Sequence, residues 1–489
     1  MPLRLAAMRS PGVMLAAAVA LAGFVLACSS AVAQPVTQPA PFLTGIYADR
    51  PEASGADAGL YYDRIVAAGA RIVRFTVYWK DVAPATLPVS WDPTDPADSN
   101  YNWGDLDQRV ELAVAHHLTP LITLMQAPVW AQVGGVADDL GSYRPSAVDF
   151  GQFAAAVARR YSGAFQGLPR VRYWQAWNEP NITAYLEPLA ETPSIYRSLL
   201  SAFADSVHAA AVGNLVVSAG LSPFTVDYPT VKSIGPMQFM RELLCMSGGA
   251  HPRPTCASTA KFDIWATHPY TTGGPFDHAA NPNDVSLGDL PKMNTLLQAA
   301  VKAGHVDSTG PVGFWVTEFS WDTDPPDPNA VPVALQARWT AEALYQMWSS
   351  GVSAVIWLML RDDAYPGSPL QSGLYFRSDN GLASDKPKPA LVAFRFPFVA
   401  YLRPDGVEVW GRTPTNRGAI VVIERRSAAS GPWRRVASIR ADRYGIFDGV
   451  LKFAATRKNW VRARLIGSSV AALPFSLTEP PDHMYHPFG

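Results

Sequence analysis

Between Phe42 and Phe396, short runs of β-branched and aromatic residues alternate eight times with longer segments of helical period. The runs fall at 42–47, 72–78, 119–125, 173–177, 216–219, 264–268, 313–317 and 354–357. Amphipathic stretches between them lie at 60–68, 105–116, 148–161, 195–211, 292–302 and 333–348. A strand, a crossing helix and a second parallel strand make one βα repeat, and eight such repeats close on themselves. The expected fold class is therefore α/β, a (β/α)8 TIM barrel. In that fold the reacting groups sit where strands end and loops begin, which sets the positions to inspect before any motif is read. Long loops rich in Pro, Asp and Gly follow the second, third, seventh and eighth runs, at 82–102, 129–145, 322–332 and 361–389. Loops on that face build clefts.

Beyond Tyr401 the pattern turns strand-like, with runs at 407–411, 419–425, 434–440 and 460–465 separated by Gly, Pro, Asn and Ser. A small C-terminal antiparallel β domain, sandwich-like, is expected over 401–489, and covering an apolar face of the barrel is its expected role, with carbohydrate binding the alternative. At the other end, Arg4 and Arg9 precede an apolar run at 13–27, and Ala31-Val32-Ala33 has the form of a cleavage site. Residues 1–33 thus read as a signal peptide, leaving the barrel at 34–400 and predicting a secreted chain. Val25-Leu26-Ala27-Cys28 offers the alternative of a lipid anchor at Cys28 on a bacterial surface. The apolar run is shorter than the roughly 18 residues a membrane span needs, and no later run reaches that length. Export permits a disulfide between Cys245 and Cys256, the alternative being two buried thiols. No Cys/His spacing has the form of a zinc site, so no metal or other cofactor is expected. With 40 basic and 41 acidic side chains the net charge is -1, which gives no whole-chain footprint for nucleic acid or an anionic membrane, and a neutral partner fits better.

Two strand ends carry carboxylates. The fourth run, Tyr173-Trp174-Gln175-Ala176-Trp177, is followed by Asn178-Glu179-Pro180-Asn181, where Pro180 ends pairing and starts a loop. The seventh run, Gly313-Phe314-Trp315-Val316-Thr317, delivers Glu318 to the same rim. Strands four and seven oppose one another across an eight-stranded barrel, so Glu179 and Glu318 should bracket one bound group. A single Glu there would be read as a solvated carboxylate or a structural ion pair. Two facing carboxylates form the pair that glycosidic bond hydrolysis requires.

Trp177-Asn178-Glu179-Pro180-Asn181 and Thr317-Glu318-Phe319 resemble the two signatures of clan A glycoside hydrolases, with families 5 and 39 the nearest echoes; the resemblance covers the whole expected barrel. It implies that Glu179 is the acid/base, that Glu318 is the nucleophile and that Asn178 contacts the sugar 2-hydroxyl. It also implies that Arg74, at the second run, hydrogen-bonds the nucleophile and keeps it ionised. At the sixth run His268-Pro269-Tyr270 is similar to the clan's His and Tyr, the Tyr donating to the nucleophile and the His lining the sugar subsite; a satisfied core histidine is the alternative. Trp357 ends the eighth run, where clan members place a Trp beneath the sugar, and Trp79 and Trp130 offer further stacking walls; a packing role is the alternative for all three. Gln126 ends the third run where many family 5 enzymes carry a His, a departure from that family's pattern. The resemblance implies a retaining hydrolase acting on a carbohydrate, the alternatives being a transglycosylase with the same carboxylates or a non-catalytic binding barrel.

Overall fold

The computed structural model of the chain describes residues 41–135 and 137–477. The leader read at 1–33, with Cys28, and the tail from 478 lie outside the described residues. Eight parallel strands close into a barrel: β1 (Leu43–Tyr47), β2 (Ile72–Tyr78), β3 (Thr119–Met125), β4 (Tyr173–Ala176), β5 (Leu215–Val217), β6 (Ile264–Thr267), β7 (Gly313–Phe319) and β8 (Ala354–Trp357). They are neighbours in chain order, and β8 returns to β1 with Leu43 opposite Ala354 and Ile46 opposite Trp357. Each strand is followed by a helix: α1 (Ala58–Ala67), α2 (Leu106–Ala115), α3 (Ala147–Arg160), α4 (Thr192–Ala210), α5 (Pro236–Leu244), α6 (Leu290–Lys302), α7 (Val333–Ser349) and α8 (Pro389–Arg395). This is the fold class expected from the alternation.

The alternation of side chains along each strand layers the barrel interior. In β2, Val73, Phe75 and Val77 face the helices and join the main core, while Ile72 points inward to meet Leu121, Val217, Ile264, Ala266, Trp315, Ala354 and Ile356 in a separate apolar plug. Gly45 permits this closure, because a Cβ there would lie 2.5 Å from Ile356 Cδ1 and 2.7 Å from the Ile72 carbonyl. One step further toward the strand ends, the inward positions turn polar: Arg74, Thr123, Gln175 and Thr317, all 0–1% exposed. Polar groups at that depth require partners, and these supply one another. Arg74 Nε donates to Thr123 Oγ1 at 3.0 Å, Thr123 to Gln175 Oε1 at 2.8 Å, and Gln175 Nε2 to Thr317 Oγ1 at 3.1 Å.

Above that layer the ladder gives way. Pairing of β4 with β5 stops at Gln175 opposite Val217, and the phenol of Tyr196 on α4 takes over, donating to the Ala176 carbonyl at 3.0 Å and accepting from the Ala219 amide at 2.6 Å. The chain released there adopts conformations that L-residues avoid: Trp177 has φ 70° and Glu179 φ 40°, and Gln126 at the end of β3 has φ 59°. Such strain clusters at functional sites.

Beyond the barrel, β9 (Phe398–Arg403), β10 (Gly406–Arg412) and β13 (Ile446–Leu451) form one antiparallel sheet. A second contains β12 (Arg434–Arg440), β11 (Ile420–Arg426), β14 (Trp460–Leu465) and β15 (Phe475–Ser476), in that order. Trp410 packs on Tyr345 and Trp348 of α7 with ring centroids 5.6 Å apart in each case. Buried Arg412 donates to the carbonyls of Phe42 and Phe394 at 3.1 and 3.2 Å. The sheets thus cover an apolar helical face of the barrel. Cys245, in a left-handed conformation at the end of α5, is disulfide-bonded to Cys256. Among the described residues no helix is long and apolar enough to cross a membrane, and no group of His, Cys, Asp or Glu is arranged to hold a metal ion.

Candidate active site

A cavity of about 680 Å³ opens at the carboxyl ends of the strands, with Glu318, Asn178, Tyr270 and Gln126 on its wall. Glu318 is gripped at both oxygens. Tyr270 donates to Oε1 at 2.8 Å and Arg74 Nη1 to Oε2 at 3.1 Å. The same guanidinium donates through Nη2 to Asn178 Oδ1 at 2.8 Å, which leaves the Asn178 amide N–H groups for the cavity. Arg74 also lies over the Tyr47 ring at 4.9 Å. Burial by itself raises the Glu318 carboxyl, but the charges of His268 and Arg74, with hydrogen bonds from Tyr270 and Arg74, outweigh it and hold the carboxyl below its ordinary range. Burial first, then the adjacent Glu318 charge, pushes the Tyr270 phenol well above its ordinary value, so it remains a donor.

Glu179 sits in different surroundings. Its Oε1 is 2.9 Å from His268 Nδ1, and the other imidazole nitrogen is 3.0 Å from Thr317 Oγ1. Its backbone is fixed by donation from its amide to the Gly220 carbonyl at 2.9 Å. One continuous network thus links the two carboxylates, running from Glu179 through His268, Thr317, Gln175, Thr123 and Arg74 to Glu318, with Asn178 branching from Arg74. His268 is 0% exposed, so it braces Glu179 from behind; it does not line the cavity, where a sugar-contacting role had been expected. Gly220 makes the room: a Cβ there would come within 2.7 Å of His268 Cε1 and nearer still to Nε2.

The expected stacking walls lie elsewhere. Trp79 is 0% exposed, stacked on Phe153 at 5.6 Å, and Trp357 is 1% exposed, donating to the Ser372 carbonyl and wedged between Phe319 and Phe394. Trp130 donates to the Pro84 carbonyl and packs edge-on to Trp79 and Trp91. All three pack loops and helices onto the barrel. The aromatic lining comes instead from Tyr47, Tyr78, Tyr185 and Trp321, with Asp322 beside the Trp. Tyr47 and Trp321 end or follow barrel strands, so the strand-end rule contained the signal for both. Asn181 is fully buried, accepting from the Ser222 amide and donating to the Ser222 and Ile234 carbonyls, which pins the loop after β4.

No family model and no curated protein matches the chain. Among solved structures it is similar to a family 39 glycoside hydrolase from Bacteroides cellulosilyticus, at 15% identity over 84% of this chain and 79% of that one, with a TM-score of 0.49. It is similar also to a glucosidase from Croceicoccus marinus, at 14% identity over 86% and 94% of the two chains with a TM-score of 0.46. A third is Cel5A of Thermotoga maritima, at 13% identity over 72% and 97% with a TM-score of 0.43. The fold assignment rests on the barrel's own strand order and registers.

Proposed function

We propose that the chain is a secreted glycoside hydrolase that cleaves O-glycosidic bonds with retention, by double displacement. The observation that carries this reading is the unequal treatment of Glu318 on the cavity wall and Glu179, which one hydrogen-bond network joins to it. Glu318 has donors on both oxygens and stays ionised, the state a nucleophile requires. Glu179 meets a single imidazole and can exchange a proton. In the first step Glu318 attacks the anomeric carbon while Glu179 protonates the departing glycosidic oxygen. In the second, Glu179 takes a proton from water, whose oxygen attacks the same carbon and releases the Glu318 carboxylate. One residue, Glu179, serves as acid in the first step and as base in the second, as microscopic reversibility requires. Asn178 hydrogen-bonds the sugar 2-hydroxyl as oxocarbenium character develops, a role supported by its place on the cavity wall, with Tyr270 and Arg74 holding the nucleophile. The Cys245–Cys256 bond fits an oxidising compartment and so supports export.

Kinetics on a panel of aryl glycosides test the reading. Glu318→Gln should abolish hydrolysis of every substrate. Glu179→Gln should spare the first step for activated leaving groups and regain turnover with azide. Full hydrolytic activity in Glu318→Gln would overturn the assignment.

A further inference from the structure

A net charge of -1 conceals a division of charge along the chain. Residues 1–400 carry 26 Lys and Arg against 34 Asp and Glu, whereas residues 401–489 carry 14 against seven. The excess is concentrated on the second sheet, whose strands carry seven basic side chains and one acidic one. The registers sort them by face. Val421, Ile423, Val461 and Ala463 are buried and occupy one side, while the residues alternating with them, Glu424, Arg426, Arg462 and Arg464, occupy the other. Trp460 lies opposite Arg426 and Arg440 opposite Ile420 in the pairing.

Two features separate this face from an ordinary solvated one. Arg462 and Arg464 share the single carboxylate of Glu424, at 2.8 Å each. Among the described residues Arg426, Arg435 and Arg440 on this face have no carboxylate partner, and Arg435 and Arg440 are exposed. The second feature is Trp433, whose ring lies between two guanidiniums, Arg426 at 4.5 Å and Arg462 at 4.4 Å. A guanidinium stacked on an aromatic face is held flat and keeps its in-plane N–H groups for a planar anion such as a carboxylate. Arg426 Nε is buried with no hydrogen-bond partner.

We propose that this face is a binding surface for an anionic polysaccharide, a glycan bearing carboxylate or sulfate groups, held apart from the barrel cavity. The identification of the polyanion as a glycan rests on the glycosidase reading of the barrel. Charge complementarity supplies the attraction, and Trp433 and Trp460 offer flat surface for sugar faces.

The test is fluorescence anisotropy of labelled polygalacturonate titrated with the full chain, at low and at physiological salt, beside a neutral glucan and a single-stranded DNA. The expected result is binding of the polyuronate that weakens with salt, with no binding of the neutral glucan. Combined Arg435→Gln and Arg440→Gln should weaken it about tenfold, and Trp433→Ala should also weaken it, with thermal unfolding and aryl glycoside turnover unchanged in the double variant. Absence of polyuronate binding, equal affinity in the double variant, or tighter binding of DNA would each overturn the proposal. Because binding is read without catalysis, loss of the glycosidase reading would appear separately, as absence of turnover on every aryl glycoside.

Discussion

Gly220→Ala offers a sharp test of how Glu179, the proposed acid/base, is positioned. The added methyl would lie within 2.7 Å of His268 Cε1 and closer to Nε2 and Cδ2, whereas ordinary contact begins near 3.4 Å. The imidazole must therefore retreat by about 1 Å or more. It has nowhere to go without loss, being fully buried and bonded to Glu179 on one side and Thr317 on the other. Weakening two hydrogen bonds of a buried group, each worth about 1–3 kcal/mol when a partner is left unsatisfied, should destabilise the protein by about 2–4 kcal/mol. A misplacement of about 1 Å at a catalytic group costs on the order of 100-fold in rate. The assay is kcat/KM on the best aryl glycoside together with thermal unfolding. A His268→Ala background supplies the control: with the ring removed, the same methyl should add less than about 1 kcal/mol, a strong departure from additivity. Wild-type kcat/KM in Gly220→Ala, or equal penalties in both backgrounds, would refute the claim that Gly220 exists to seat His268 behind Glu179.

Other consequences are separable. Glu318 must be ionised to attack, so activity is present above its folded pKa and is lost as pH falls through it; Tyr270→Phe removes one of the groups holding that carboxyl low and should move the acid limb of kcat/KM to higher pH, as read from a pH–rate profile. Lys388, fully buried, donates to Asp362, Thr323 and the Gln371 carbonyl and so ties the loops after β7 and β8 together; Lys388→Met strands Asp362 and should cost about 3–5 kcal/mol in denaturant unfolding. Burial, outweighing Lys388, raises Asp362 to about 6, so this carboxyl favours the fold fully only below its unfolded value, and the contribution is lost as pH rises through about 6. Replacing Cys245 and Cys256 by Ser frees a link spanning a sequence separation of 11 and should cost about 3 kcal/mol, measured as a lowered unfolding midpoint matched by wild type under reductant.

The barrel strands were legible because a strand buried on both faces reads as a β-branched run, and β2, β3 and β8 begin and end where those runs do. Helix α5 and strand β9 were not anticipated, since Pro236–Leu244 lies inside a loop rich in Gly and Pro and Phe398–Arg403 adjoins a Phe/Pro stretch with no turn signal between. The carboxylates were legible because each follows a strand end, whereas Asn178 and Tyr270 came from the resemblance to the clan's motifs, as did Arg74, whose inward position strand periodicity also indicated. The tryptophans were not legible, because a ring at a strand end can turn into the cavity or behind the strand. Which way it goes depends on remote partners, such as Phe394 behind Trp357 and Phe153 beneath Trp79. His268 likewise required knowledge of Gly220, 48 positions earlier in the chain. Whole-chain charge averages over 489 residues and so hides an acidic segment at 1–400 beside a basic one at 401–489.

The central claim concerns Glu318 as a covalent nucleophile. Incubation with 2-deoxy-2-fluoro glycosides bearing a good leaving group slows the second step more than the first and allows the intermediate to accumulate. Peptide mass spectrometry should then find one fluoroglycosyl adduct, on the peptide containing Thr317-Glu318-Phe319 and at Glu318 itself, formed at the rate at which activity is lost. An adduct on another residue, or turnover of an unmodified enzyme through inversion of the anomeric centre, would contradict the account.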